Sequence, residues 1–348
     1  MRVDGVEVIP FAIPLRVPLA TGRGTIAVRR GFLVAVQAGR AGGIGEASPH
    51  PAAPAEALVA TSAALAQARA WLVGADAARL EELLRESARL EPAAAAGIDM
   101  ALHDLLGRLT GRTVTELLGG AARRVVTASA LLAGAAVPPP GFTCAKVKVD
   151  RDVEASLERL AAVRAAAPSL ALRADANGCY DAEGAIAAAR RFGPLGLEWL
   201  EQPVPACDMT GMVRVRRDGG VAIAADETVT GPEVVAVLAA AAAADAVVLK
   251  LVQVGGLARA RETARAAAAA GLAVTVTTAI DTGVGTAAAL HLAAALPGPL
   301  RACGLATGHL LAGDVVTAPI PEGPLMVPPA GPGLGVTLDR AALARWRA

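Results

Sequence analysis

The chain has 348 residues, with 33 Lys and Arg against 32 Asp and Glu, for a formal net charge of +1. That balance offers no pull on a polyanion, and aromatic residues at 2% supply few stacking surfaces, so nucleic acid is excluded as a partner. Cys144, Cys179, Cys207 and Cys303 form no CxxC pair, which excludes a zinc ribbon or a disulfide framework.

The first residues carry Asp4 and Glu7 in place of a basic-then-apolar leader, so a reducing cytoplasm is the expected setting. The longest apolar run, 234–244, is mostly alanine and falls short of the roughly 20 residues a membrane span needs. No membrane role is expected. The length suggests two domains, one of them a barrel of about 200 to 250 residues.

In chain order, 3–14 and 31–37 read as strands, and the Gly- and Arg-containing segment 21–30 reads as a loop between them. Helices are expected over 53–73, 77–90 and 93–107, the last ending in Gly107, with a short one over 113–118 closed by Gly119 and Gly120. Residues 1–120 thus make an α+β unit without parallel repeats. From residue 125 the alternation becomes regular, with strands expected over 125–132, 144–149, 170–175, 196–201, 221–226, 246–251, 273–278 and 301–305. Alanine-rich helices separate most of them, and eight parallel strands make a barrel. From about Asp314 a Pro- and Gly-rich segment is expected to pack back on the first domain.

Five charges recur along this repeat: Lys148, Asp175, Glu201, Asp226 and Lys250, at gaps of 27, 26, 25 and 24 residues. Each sits at or near the end of an apolar run, and the carboxyl ends of barrel strands share one face. Three acids brought together there would repel one another unless a cation compensated them. Oxygen ligation without His or Cys favours Mg²⁺, with Mn²⁺ or Ca²⁺ as alternatives. Lys146 and Lys148 project to the same side of their strand, and a neighbouring ammonium and a divalent cation both lower a lysine pKa toward that of a base. His50, His103, His291 and His309 read as structural.

Lys146-Val147-Lys148, Asp175-Ala176-Asn177, Glu201-Gln202-Pro203, Asp226-Glu227 and Lys250 together resemble the enolase superfamily, in its muconate-lactonizing subgroup. Gly43-Ile44-Gly45-Glu46-Ala47 is similar to a turn in that family's capping domain, and 97–107 to its domain-joining helix. The resemblance implies an α/β protein: an α+β capping domain (1–120), a modified TIM barrel, (β/α)₇β (121–313), and a C-terminal segment (314–348) packed back on the cap. It implies Mg²⁺, or Mn²⁺, on Asp175, Glu201 and Asp226, with Lys148 as the base that removes a proton α to a carboxylate. Lys250 would face the opposite side of the enediolate, Lys146 would tune Lys148, and Asn177 and Glu227 would orient ligands and lysine.

Residues 302–316 are most similar to the o-succinylbenzoate synthases of menaquinone synthesis, which implies a dehydration; racemisation, dipeptide epimerisation and muconate cycloisomerisation are the alternatives within the subgroup. A non-catalytic metal-binding barrel is the alternative outside it. The expected partner is a small-molecule carboxylate, and a homo-oligomer is compatible with the family. Asp281 stands where the family commonly has Glu, and Gly283 and Gly285 could offer backbone N–H groups to a carboxylate. Arg23, with Arg29 and Arg30, is a candidate to bind a distal substrate carboxylate.

Overall fold

The computed structural model describes residues 1–21, 24–120, 123–132 and 137–348. Strands β1 (Gly5–Thr21), β2 (Gly24–Ala38) and β3 (Ala41–Ala47) form an antiparallel sheet in that order. The segment expected as a loop is therefore mostly strand: from Gly24 the chain runs against β1, with Leu19 opposite Ile26 and Ile13 opposite Arg29. Its arginines hid the alternation, because Arg29 is wholly buried.

Four helices follow: α1 (Ala55–Leu72), α2 (Leu80–Ser87), α3 (Pro92–Thr110) and α4 (Val114–Leu117). The expected turn at 43–47 is instead the body of β3, which lies directly on α3. A Cβ on Gly45 would sit 1.9 Å from the Gly97 carbonyl oxygen, and one on Gly43 would sit 2.1 Å from that of Ala101. Glycine is there because two backbones touch, which is the other use of glycine in a strand. Helix α3 starts with Pro92 at its first position and the Glu91 side chain accepting from the Ala93 and Ala94 N–H groups. It continues past Gly107 and stops at Gly111, which takes the left-handed conformation of a helix end. Gly107 serves a crossing: its Cβ would meet the Gly333 Cα at 2.5 Å.

The barrel contains β4 (Val126–Thr127), β5 (Ala130–Leu132), β6 (Cys144–Lys148), α5 (Val153–Ala166), β7 (Ala171–Asp175), α6 (Ala182–Phe192), β8 (Leu197–Glu201) and α7 (Met209–Asp218). It goes on through β9 (Ile223–Ala225), α8 (Pro232–Ala240), β10 (Ala246–Leu249), α9 (Leu251–Val254), α10 (Leu257–Ala269), β11 (Ala273–Val276) and α11 (Gly283–Ala295). Strands β5 to β11 make one parallel seven-stranded sheet in sequence order. The first expected barrel strand divides, because β4 pairs instead with β12 (Leu325–Met326), antiparallel. The eighth is reduced to single parallel bridges, Cys303 to Ala128 on one edge and Gly304 to Thr277 on the other. Those bridges close the curled sheet, as the Ser129 N–H to Cys303 O bond (2.8 Å) and the Gly304 N–H to Val276 O bond (3.0 Å) show.

One apolar core runs from Phe11, Ile13 and Leu15 of the cap into the barrel, and a smaller one lies between the cap sheet and α3. Inside the barrel, below the charged face, the sequence concealed an arginine: Arg173 stacks 3.9 Å over the Trp199 ring and donates to Glu198 at 2.7 Å. The C-terminal stretch bridges Thr113 through Gly333 and Phe11 through Arg347, and carries α12 (Arg340–Trp346). No helix among the described residues is long and apolar enough to cross a membrane.

Candidate active site

Register places the charges level with one another. Lys148 is the partner of Asp175, Asp175 of Glu201, and Glu201 of Ala224, which puts Asp226 two residues on and on the same face. Lys250 follows β10 at the start of α9. Ligand oxygens of Asp175, Glu201 and Asp226 lie within 4.8 Å of one another, and all three residues are buried.

The chain turns sharply just after two of these acids. Asn177 and Gln202 both have positive φ, 47° and 37°, outside the range that non-glycine residues usually adopt. Gln202, which the sequence left without a role, joins the second and third acid strands. Its Oε1 accepts from the Asp226 N–H at 3.0 Å and the Thr228 N–H at 3.1 Å, while its Nε2 donates to the Val204 carbonyl at 2.9 Å.

The lysines pair with the acids. Lys146 Nζ lies 2.9 Å from Asp175 Oδ2 and 2.7 Å from Glu201 Oε1. Lys148 Nζ donates to Asp175 Oδ2 and to Asn177 Oδ1, both at 2.7 Å, and Asn177 Nδ2 donates in turn to Glu227 Oε1 at 3.1 Å. Lys250 pairs closely with Asp226 Oδ2. Burial works to raise the Asp175 carboxyl, but the Lys146 and Lys148 ammoniums overcome it and hold the group well below the usual carboxylate range. Burial and Asp175 push Glu201 up to about 7, and burial raises Asp226 despite Lys250. Burial opposes the charge on Lys146 and Lys250 as well, yet the surrounding carboxylates keep both ammoniums above their ordinary range.

This donor set fits a divalent cation. Asp226 Oδ1 is buried with no hydrogen-bond partner, a costly state that a cation would relieve. The ligands are all oxygen, which suits a hard ion.

Above the acids lies a cavity of about 70 Å³, with Lys148 and Lys250 in its wall beside Leu19, Ile26, Leu131 and Ile280. His50 and Thr307 also reach it. Several other expected residues are engaged elsewhere. Asp281 pairs with Arg29 at 3.0 Å. The Gly283 N–H donates to Asp314 Oδ1 at 2.9 Å and the Gly285 N–H to Glu46 Oε2 at 3.1 Å, so protein carboxylates already occupy both donors. Arg29 is buried between the two domains and does not reach toward a distal substrate group, because Asp281 and four backbone carbonyls hold it. Arg30 points to solvent, and Arg23 lies outside the described residues. His103 and His291 are internal ties, at 2.9 Å to the Asp99 carbonyl and 2.7 Å to Thr115 Oγ1.

Residues 128–342 match the family described as enolase C-terminal domain-like, and residues 4–119 match the mandelate racemase / muconate lactonizing enzyme N-terminal domain. A chloromuconate cycloisomerase of Cupriavidus necator is 30% identical over 371 aligned residues, covering 97% of each chain. The crystal structure of muconate lactonizing enzyme from Pseudomonas fluorescens, complexed with muconolactone, superposes with a TM-score of 0.92 at 27% identity, over 100% of this chain and 99% of that one. A dipeptide epimerase from Enterococcus faecalis, complexed with Mg and the dipeptide L-Leu-L-Tyr, superposes with a TM-score of 0.88 at 25% identity, over 97% of this chain and 100% of that one.

Proposed function

This chain belongs to the enolase superfamily, in its muconate-lactonizing subgroup of lyases and isomerases, and on that footing we propose that it removes a proton α to a substrate carboxylate. The observation that carries the reading is that Lys148 and Lys250, together with Lys146, line one cavity above three clustered carboxylates. Asp175, Glu201 and Asp226 would hold Mg²⁺, whose positive charge would stabilise negative charge developing on the substrate carboxylate.

The reaction proposed is that of an o-succinylbenzoate synthase. Lys148, which must first give up a proton to solvent, takes the α proton, and the C–H electron pair moves into the carboxylate to give the enediolate. The electrons then return and the C–O bond of the ring hydroxyl breaks. Lys148 gives its proton to the departing oxygen, so that water leaves and the amine is restored. Lys250 holds its ammonium against the opposite face of the enediolate, where developing negative charge needs a preorganised cation. Asn177 receives one Lys148 hydrogen bond and so aims the amine.

The apolar wall formed by Leu19, Ile26, Leu131 and Ile280 suits a carbocyclic ring. Among the described residues that line the cavity there is no Asp or Glu to hold a substrate ammonium, which speaks against a dipeptide. Thr307 and Asp314 come from the segment that resembles the synthases: the first lines the cavity, and the second fixes the start of α11. Muconate cycloisomerisation is the second reading, favoured by the full-length similarity to a chloromuconate cycloisomerase.

The test supplies protein and Mg²⁺ in D₂O with the cyclohexadiene substrate, with N-succinyl amino acids, with dipeptides and with cis,cis-muconate. Dehydration of the first with no α-deuterium in the amino acids or dipeptides is expected; lactone from muconate alone would select the second reading, and silence on all four would sink both. Lys148→Ala should lower the activity found by about 10² to 10⁴-fold, the usual span for a positioned acid or base.

A further inference from the structure

Arg29 is an unusual residue to find where β2 meets the barrel. Its side chain has no solvent exposure, yet the sequence around it looks like a surface loop. A buried guanidinium is tolerated only when its donors are met, and here they are met in a particular way. Nε donates to the Ile280 carbonyl at 3.1 Å, Nη1 to the Pro49 carbonyl at 2.5 Å, and Nη2 to the Ser48 carbonyl and Asp281 Oδ1, at 3.1 and 3.0 Å. Two of these carbonyls belong to the cap, immediately before His50, and one belongs to the barrel. His50 and Ile280 both line the substrate cavity.

Ile280 is itself strained. It is β-branched and has φ of 62°, a conformation in which such a side chain is a genuine outlier. Strain of this kind persists only where the surroundings over-determine it. The surroundings do so on both sides: Asp281 Oδ1 takes the Ala279 N–H as well as Arg29, and Glu46 Oε2 takes the Thr282 and Gly285 N–H groups at 3.0 and 3.1 Å. The shorter acid at position 281 thereby gains a purpose, since its carboxylate turns onto Arg29.

We propose that Arg29 is a positioning residue that clamps the Pro49 and Ile280 carbonyls together and so sets the spacing of two walls of the substrate cavity, one from each domain. The inference rests on reading that cavity as the substrate pocket. Arg29 touches no reacting atom; it acts through His50 and Ile280. A lysine cannot replace it, because one ammonium lacks the flat fork that reaches both carbonyls and Asp281 at once.

Hydrogen exchange and steady-state kinetics on the full chain test this with Arg29→Gln, Arg29→Lys and Asp281→Asn. In both Arg29 variants, exchange is expected to quicken at least tenfold in peptides covering 48–53 and 279–282 together, with peptides of β6 and β7 unchanged. KM is expected to rise at least tenfold while kcat stays within threefold. Rescue by Arg29→Lys would overturn the clamp in favour of simple charge balance. Loosening of only one segment, or a fall in kcat with KM unchanged, would also overturn it. Should Arg29→Gln fail to fold, Asp281→Asn carries the test, with about threefold effects in the same directions. Exchange is read without substrate, so it judges the clamp even if no candidate substrate turns over, an outcome that would sink only the proposed reaction.

Discussion

Asp175, Glu201 and Asp226 share one cluster, but their neighbours treat them unequally. Asp175 meets two lysines and stays ionised, whereas Glu201, as deeply buried, meets only Lys146 beside the Asp175 charge and is pushed up to about 7. Removing the Glu201 charge therefore relieves repulsion as much as it breaks a pair. Gln is nearly isosteric, and its carbonyl oxygen can still accept the Lys146 hydrogen bond made at 2.7 Å. Glu201→Gln should keep the unfolding free energy within about 1 kcal/mol of the parent, since replacing a strained buried charge by a hydrogen-bonded neutral group costs little. Mg²⁺ affinity should fall at least tenfold, about 1.4 kcal/mol, because the proposed metal site would lose one of its three anionic groups. Urea denaturation and calorimetric titration measure the two quantities, and a variant that still binds Mg²⁺ like the parent would remove Glu201 from the metal site. These acids were legible in the sequence because each ends, or closely follows, a buried strand, so strand spacing alone aligned them. Arg29 was not legible: Asp281, which explains its burial, lies 252 residues away.

At the scale of elements, glycine misled in one place and informed in another. The glycine at position 24 and the arginines after it suggested a loop, but strands β1 and β2 continue there: antiparallel pairing within the cap sheet decides it, and Asp281 of the barrel accepts the buried Arg29. Gly43 and Gly45 suggested a turn because glycine is the usual turn residue. Their actual purpose, contact with α3, depends on a helix more than fifty residues later and cannot be read locally. The consequence is testable. Gly45→Ala drives a methyl to within 1.9 Å of the Gly97 carbonyl, an overlap between two backbones with no flexible side chain to yield. Overpacking of this kind costs roughly 1–3 kcal/mol or more, so urea unfolding should show a loss in or above that range. Gly5→Ala, where an added Cβ meets nothing within 4 Å, should change stability by no more than about 0.5 kcal/mol and serves as the control. Equal effects at the two sites would mean that β3 does not rest on α3 in solution.

Across the whole molecule, cap and barrel are joined by a buried cluster with more acid than base: Arg29 from β2, Glu46 from β3 and Asp281 from the loop before α11. Glu46 also stands at the start of α11, where the Thr282 hydroxyl and the N–H groups of Thr282 and Gly285 all donate to its Oε2. Its Oε1 has no hydrogen-bond partner, although Arg29 Nη2 lies 3.8 Å away. Burial first, then Asp281, push Glu46 up to about 7, against the opposing pull of Arg29 and the Thr282 hydroxyl. The sign of the pH effect follows. Below the ordinary value of 4.5 the carboxyl is protonated in folded and unfolded chains alike, and the shift costs nothing. Between 4.5 and about 7 the unfolded chain releases its proton while the folded one retains it, so stability falls as pH rises. Above about 7 the full cost is present, on the order of 3 kcal/mol at 1.36 kcal/mol per unit. Glu46→Gln keeps an oxygen for the α11 donors and removes the titrating proton. The difference in unfolding free energy, variant minus parent, should therefore climb by up to about 3 kcal/mol from pH 5 to pH 8 and then level off. Every group outside the cluster cancels in that difference, so urea denaturation of the two proteins at pH 5, 6, 7 and 8 reads Glu46 together with the Asp281 carboxyl that interacts with it. A difference that stays flat would show that the junction holds Glu46 ionised throughout.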